Sequence, residues 1–374
     1  MRNLCFHDAI KIIWGDFSPL FLSLFAVKKN KKYLHFTLSE LYYVHQRSGN
    51  AVIIKKEQVK MTDKTALQIA NMKKQTIGVE VEMNGITRQT AARTAANFFT
   101  TERYEFTGHR NGYSTWSAWD TDGREWKFQK DVSIHGNDDE KCELVTPILN
   151  YSDIETLQGL LRALRKAGAQ SSASRGCGVH IHVGVKSEAG DHTAQTLTNL
   201  ANIMAAHEEQ IGRAIKIAQS RTESYCRTVD PEFLHSLNAA KPRTMTQLAD
   251  IWYKGNHANY HRENHYNDSR YHMLNLHATF TKGTIEFRLF QFDEPHDGKK
   301  GGIHCGQLKA YIQLCLAMSQ LAKDLKHASH IPQQRDNEKY ALRCWMLRLG
   351  FIGDEFKTAR KLLLQNVSGN GAWR

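Results

Sequence analysis

Ile77-Gly-Val-Glu80-Val-Glu82-Met83 alternates apolar residues with side chains that carry chemistry, and two later segments do the same: Gly178-Val-His180-Ile-His182-Val183 and Ile285-Glu286-Phe-Arg288-Leu289. Spacing of two is strand spacing, so Glu80 and Glu82, His180 and His182, and Glu286 and Arg288 each share one face of a strand. The opposite faces carry Val79, Val81 and Met83, then Val179, Ile181 and Val183, then Ile285, Phe287 and Leu289. In one sheet, one face packs on helices while the other gathers three carboxylates, two imidazoles and a guanidinium. That composition suits divalent cations and phosphate, and it marks the chain as an enzyme.

Outward from these strands, residues 87–99 read as an Ala-rich helix with Thr87 as N-cap. Asp122-Gly123 lies between aromatic alternating runs, which predicts a hairpin over 116–129. Glu143-Leu-Val-Thr-Pro147 is a strand ended by its proline. Ser152 with Glu155 forms a capping box for a helix whose core face is Leu157, Leu160, Leu161 and Leu164. Further helices are expected over 193–218, 245–252, 306–325, 338–349 and 354–364. A strand pair is expected over 273–279 and 283–290, with Asn275 and His277 facing the same way. Strands and helices mix without strict alternation, so the expected class is α+β with a mostly antiparallel sheet.

Composition narrows the function classes. The chain has 374 residues and a net charge of +12. Residues 1–72 hold 11 Lys/Arg against 5 Asp/Glu, half of that charge. The rest is mildly basic, so nucleic acid is allowed as a partner but not required. The 7 cysteines lack a CxxC pair and read as reduced thiols of a cytoplasmic protein. The apolar run over 17–27 is too short for a membrane span of about 20 residues. Residues 1–70 read as an extension, disordered or upstream of a true start near Met61 or Met72, or as a small appendage. Residues 75–325 read as the catalytic domain and 326–374 as a C-terminal helical segment.

Each motif also has a plainer reading. Glu80 and Glu82 suit a wet edge strand, His180 and His182 a hydrogen-bonded core, and Glu286 with Arg288 a surface ion pair. His257, His261 and His265 have helical spacing, but the surrounding Asn and Gly favour a solvated loop or lid over a metal or nucleic-acid contact. Cys177 reads as a buried thiol. No Walker motif or GxGxxG fingerprint occurs.

The order of the motifs resembles the amidoligase family, in the superfamily of glutamine synthetase and glutamate–cysteine ligase. It rests on Gly-Val-Glu80-Val-Glu82, Glu143-Leu-Val-Thr-Pro147, Gly-Cys-Gly-Val-His180-Ile-His182, Asn275-Leu and Thr-Ile-Glu286-Phe-Arg288. It spans roughly residues 75–320. The resemblance implies a curved, mostly antiparallel sheet forming a glutamine synthetase-like half-barrel, with helices on its outer face. It implies an ATP-dependent carboxylate–amine ligase acting through an acyl phosphate, with two Mg²⁺ or Mn²⁺ ions. Carried over by motif, Glu82 and Glu143 hold one ion, and Glu80, His180 and Glu286 the other. Arg288 stabilises the transferring phosphoryl group, and His182 contacts phosphate or supports the ligands. Asn275 contributes to the nucleotide site, and Asp131, in Lys-Asp131-Val-Ser133, is a candidate for receiving the amine. The substrates are a small-molecule or peptide carboxylate and an amine, with the oligomeric state open. A metal-dependent hydrolase built on His180 and His182, and a non-catalytic binding protein on the same fold, are the alternatives.

Overall fold

Stretches with period-two patterning become strands, and those with period 3.6 become helices. The structure, a computed structural model, describes residues 32–37, 40–46, 52–57 and 62–371, apart from 109–111, 295–301 and 334–335. The chain divides into two units, Met1–Asp63 with Gly371–Arg374, and Lys64–Asn370. In the first, β1 (Lys32–Thr37), β2 (Glu40–Gln46) and β3 (Val52–Glu57) form an antiparallel sheet in chain order. The apolar run over 17–27 and Met61 lie outside the described residues.

The second unit is built on eight strands in the order β10-β11-β9-β4-β8-β7-β6-β5. These are β4 (Ile77–Met83), β5 (Tyr104–Phe106), β6 (Trp116–Trp119), β7 (Glu125–Gln129), β8 (Cys142–Val145), β9 (Val179–Gly184), β10 (Leu274–Asn275) and β11 (Thr284–Phe290). Every neighbouring pair is antiparallel. The three motif strands are adjacent at the centre, with β9 between β4 and β11. The class is α+β with an antiparallel sheet.

The apolar face is dry. Val79, Val81, Val179, Ile181, Ile285 and Phe287 are each at most 1% exposed. Helices α2 (Arg88–Phe98), α3 (Ile154–Lys166) and α9 (Cys305–Asp324) cover this side of the unit. Thr87 caps α2, its side chain accepting from the Thr90 N–H, and Ala91, Ala92, Ala95 and Ala96 are fully buried. Small residues there let the helix lie close to β6 and β7. On α3 the four expected leucines are buried at helical spacing. A second helical layer, α4 (Ala194–Ile215), α10 (Glu338–Arg348) and α11 (Lys357–Leu364), packs behind α9.

Two local expectations are corrected. Residues 273–279 are not one strand: β10 ends at Asn275 and α8 (His277–Lys282) follows. The cause is the Asn275 side chain, whose Oδ1 accepts from the His277 N–H at 2.8 Å and turns the backbone. Gly283, at φ +72°, then brings the chain back into β11. His277 therefore leaves the sheet face and bonds through Nδ1 to the Tyr253 hydroxyl at 2.7 Å. At the start of α3 the capping carboxylate is Asp153 rather than Glu155. It accepts from the Asn150 N–H at 2.8 Å, and a 3-10 turn over Tyr151–Asp153 precedes the helix.

Glu208 on α4 is 8% exposed and accepts from the Val229 N–H at 2.8 Å. Burial pushes its carboxyl up to about 8, above the ordinary 4.5. A raised folded-state pKa means that the folded chain holds the proton longer than the unfolded chain. The stability this group contributes is full below about pH 4.5 and declines until about pH 8. Glu208→Gln keeps the acceptor and removes the titration. Denaturant melts of both chains should diverge by up to about 1.4 kcal/mol per pH unit across that window, with the variant the more stable at pH 8. Parallel curves would contradict the assignment.

Candidate functional site

The ladder register brings the polar residues into rows across the sheet. Glu80 lies opposite His180, Glu82 opposite Glu143, and Glu286 opposite both His182 and Asn275. Gly78 faces His182, and a Cβ there would stand 3.3 Å from the histidine Cβ. Gln129, on β7, faces Glu143 and donates to its Oε2 at 2.8 Å. Residues that are hundreds of positions apart thus meet because each sits at a polar-face position of its strand.

The side chains interlock. His180 Nδ1 is 3.0 Å from Glu80 Oε2, and its Nε2 is 3.7 Å from Glu82 Oε1. His182 Nδ1 pairs with Thr284 Oγ1 at 3.0 Å. Its Nε2 is buried without an aligned hydrogen bond, 3.3 Å from Glu80 Oε1. Arg288 Nη1 donates to Glu286 Oε1 at 2.5 Å, and Asn275 Nδ2 to Glu286 Oε2 at 2.6 Å. The Gly178 N–H donates to Glu82 Oε2 at 2.5 Å.

Glu80, Glu286 and Glu143 do not share one electrostatic state. Burial works against charge on Glu80, yet the charge of His182 and the hydrogen bond and charge of His180 hold it well below the usual carboxylate range. Burial opposes charge on Glu286 too, and Arg288 and His182 overcome it. At Glu143 burial is reinforced by Glu80, Glu82 and Asp131, which push it well above the usual range. Burial opposes the His182 charge, while Glu80 and Glu286 raise its pKa.

Two sets of ligand atoms fall within 4.8 Å of one another: Glu80, His180 and Glu286, and Glu82, Glu143 and His180. Carboxylates with one imidazole suit Mg²⁺ or Mn²⁺. The raised Glu143 carboxyl is what a cation binding there would relieve. The donor chemistry therefore fits the expected ions.

A cleft of ≈ 670 Å³ opens over this face. Asp131 lines it from the rim, its Oδ1 accepting from the Ser133 N–H at 2.7 Å and hydroxyl at 2.6 Å. Asn275 lies below, joined to Glu286. Of the three spaced histidines, only His265 lines the cleft. His257 and His261 have side chains 72% and 74% exposed in a loop, so no helical histidine face forms. Gln129 and Arg221 were not singled out in the sequence. The Asp122-Gly123 hairpin carries a signal for Gln129, since it sets the strand facing Glu143. The short helix bearing Arg221 has no apolar periodicity to flag it. All six cysteines among the described residues are free, and Cys177 is buried. No helix among them is long and apolar enough to cross a membrane.

A family model described as a putative amidoligase enzyme matches residues 73–319. No curated protein matches the chain significantly. Among solved structures, a bifunctional glutathione synthetase from Pasteurella multocida is similar at 12% identity and a TM-score of 0.39. The match covers 81% of this chain and 48% of that one, so the chain spans about half the length of that enzyme. A likeness this loose does not extend that enzyme's activity to this chain.

Glu143 is the carboxylate that the site charges most reluctantly. Glu143→Gln should raise the melting stability of the metal-free protein by roughly 0.5–2 kcal/mol and abolish most of the stabilisation added by Mg²⁺ or Mn²⁺. Melts in EDTA and in excess cation test both halves. A variant less stable in EDTA and equally responsive to cation would remove Glu143 from the ion site.

Proposed function

The chain belongs to the putative amidoligase family, and from that premise we propose that it is an ATP-dependent carboxylate–amine ligase acting through an acyl phosphate. The observation that carries the reading is the pair of ligand groups joined at His180, with Arg288 beside them on the same buried sheet face.

A carboxylate resists amines because its oxygen leaves poorly. In the proposed sequence, a substrate carboxylate oxygen attacks the terminal phosphorus of ATP, and ADP departs with the bond electrons. The amine nitrogen then attacks the acyl carbon, phosphate leaves with that oxygen, and the nitrogen gives up a proton. The sum is one amide and the loss of the elements of one water. Glu80, His180 and Glu286 would hold one divalent ion and Glu82 and Glu143 the other. When bound, the ions neutralise and orient the phosphates.

The chain's own residues do the rest. Arg288 is held by Glu286 and by the Tyr225 carbonyl at 3.4 Å, which leaves further N–H groups for phosphoryl oxygens. Asn275 fixes the Glu286 carboxylate. Thr284 fixes His182, whose Nε2 is left for a ligand oxygen. Asp131, at the rim near Glu143, is a site for an amine: a carboxylate there favours the cation, and its ordered turn with Ser133 holds it in place. No P-loop is needed when cations and Arg288 handle the phosphates. A hydrolase would have both histidines on one ion. Here His182 stands outside both ligand groups among the described residues.

Wild type incubated with ATP, Mg²⁺ or Mn²⁺ and pooled acids and amines should release phosphate and yield a product one water lighter than its parts. Glu82→Ala and Glu286→Ala should each lower that ATP consumption about 10²–10³-fold. Unchanged consumption in both variants would falsify the ligase reading.

A further inference from the structure

Arg221 is a buried cation with no counter-ion. It is the one buried residue of α5 (Gln219–Ser224) and is 5% exposed. It lines the same cleft as Glu80, Glu82 and Glu143. Among the described residues it forms no ion pair; Nη2 donates to the Arg288 carbonyl at 2.8 Å, and the side chain also meets the Cys226 thiol. Its Nε is buried with no partner. The neighbouring guanidinium, Arg288, has its charge answered by Glu286.

A buried guanidinium without an anion is costly, because water's hydration is lost and nothing replaces it. The local sequence nonetheless accommodates it. Gly178 leaves the space that the guanidinium occupies, since a Cβ there would collide with Cζ and both Nη atoms. The same Gly178 donates its N–H to Glu82, so the guanidinium sits at the corner where β9 meets one of the two ligand groups. On its other side is the β11 backbone at Arg288. The charge is therefore held in the cleft between the two chemical elements of the site, with donors to spare.

We propose that Arg221 is an oxyanion-binding residue of this cleft, whose missing counter-ion arrives with a ligand. Resting on the ligase reading, the oxyanion is either the carboxylate of the acid substrate or the terminal phosphoryl group of the nucleotide. Both present paired oxygens to a planar guanidinium. The proposal adds a second arginine to the site, one whose charge no protein carboxylate shares.

Calorimetric titration of the full chain with inorganic phosphate, with glutarate and with Mg²⁺ plus a non-hydrolysable ATP analogue tests it. Arg221→Met should bind an oxyanion probe at least tenfold more weakly than wild type, and Arg221→Lys should recover part of the loss. The free Arg221→Met protein should melt at or above the wild-type temperature, because an unpaired buried charge has been removed. Loss confined to glutarate assigns the residue to the acid, and loss confined to phosphate and the analogue assigns it to the nucleotide. Equal binding of every probe by wild type and Arg221→Met overturns the proposal. So does no binding of any probe by wild type, or melting of both variants well below wild type, which would make the arginine structural. Phosphate binding needs no turnover: a chain that consumes no ATP yet binds phosphate through Arg221 sinks the ligase reading alone.

Discussion

The eight-stranded unit depends on an antiparallel register that places like charges against one another. Glu82 faces Glu143 across β4 and β8, and Glu80 and Glu286 reach the same two histidines from opposite sides. A slip of one residue would send these side chains into the helices and the valines into the cleft. The apolar face prevents that slip. Val79, Val81, Val179 and Ile181 are fully or almost fully buried, and exchanging them for carboxylates would put unpaired charge in the core. The helices thus hold a concentration of negative charge in place that the polar face would not adopt on its own.

That arrangement leaves its mark on the individual groups. Arg288 and the histidines stabilise charge on Glu286 and Glu80, while Glu143 has only Gln129 to offset burial and three acids. The site is consequently uneven, with charge on Glu80 and Glu286 compensated by protein cations and charge on Glu143 not. Arg221 is the reverse case, a buried cation without its anion. Strain of this kind is common where a protein is complementary to something it binds rather than to itself.

Much of this was legible in the sequence, because period-two spacing is a direct statement about faces. The polar face followed from three short segments, and the antiparallel α+β class from strands and helices that mix without strict alternation. Spacing showed Glu143 only as a carboxylate at a strand start; the family resemblance grouped it with Glu82, and the pairing that sets the two opposite each other is encoded by no local pattern. The end of β10 was misread because a single side-chain bond, Asn275 to the His277 N–H, outweighs the strand propensity of the residues around it. Arg221 was invisible: a six-residue helix has too little periodicity to show which residue points inward. The cleft is walled partly by loops at residues 112–113, 130–133 and 265–266, where spacing carries no information on what faces what.

The central claim is that this sheet face holds two divalent ions for phosphoryl chemistry. Anomalous diffraction from crystals grown with Mn²⁺ and a non-hydrolysable ATP analogue tests it most directly. The account predicts two manganese peaks, one among Glu80, His180 and Glu286 and one beside Glu82 and Glu143, with the analogue's phosphates reaching towards Arg288. A face without manganese, or one ion held by His180 and His182 together, would contradict it.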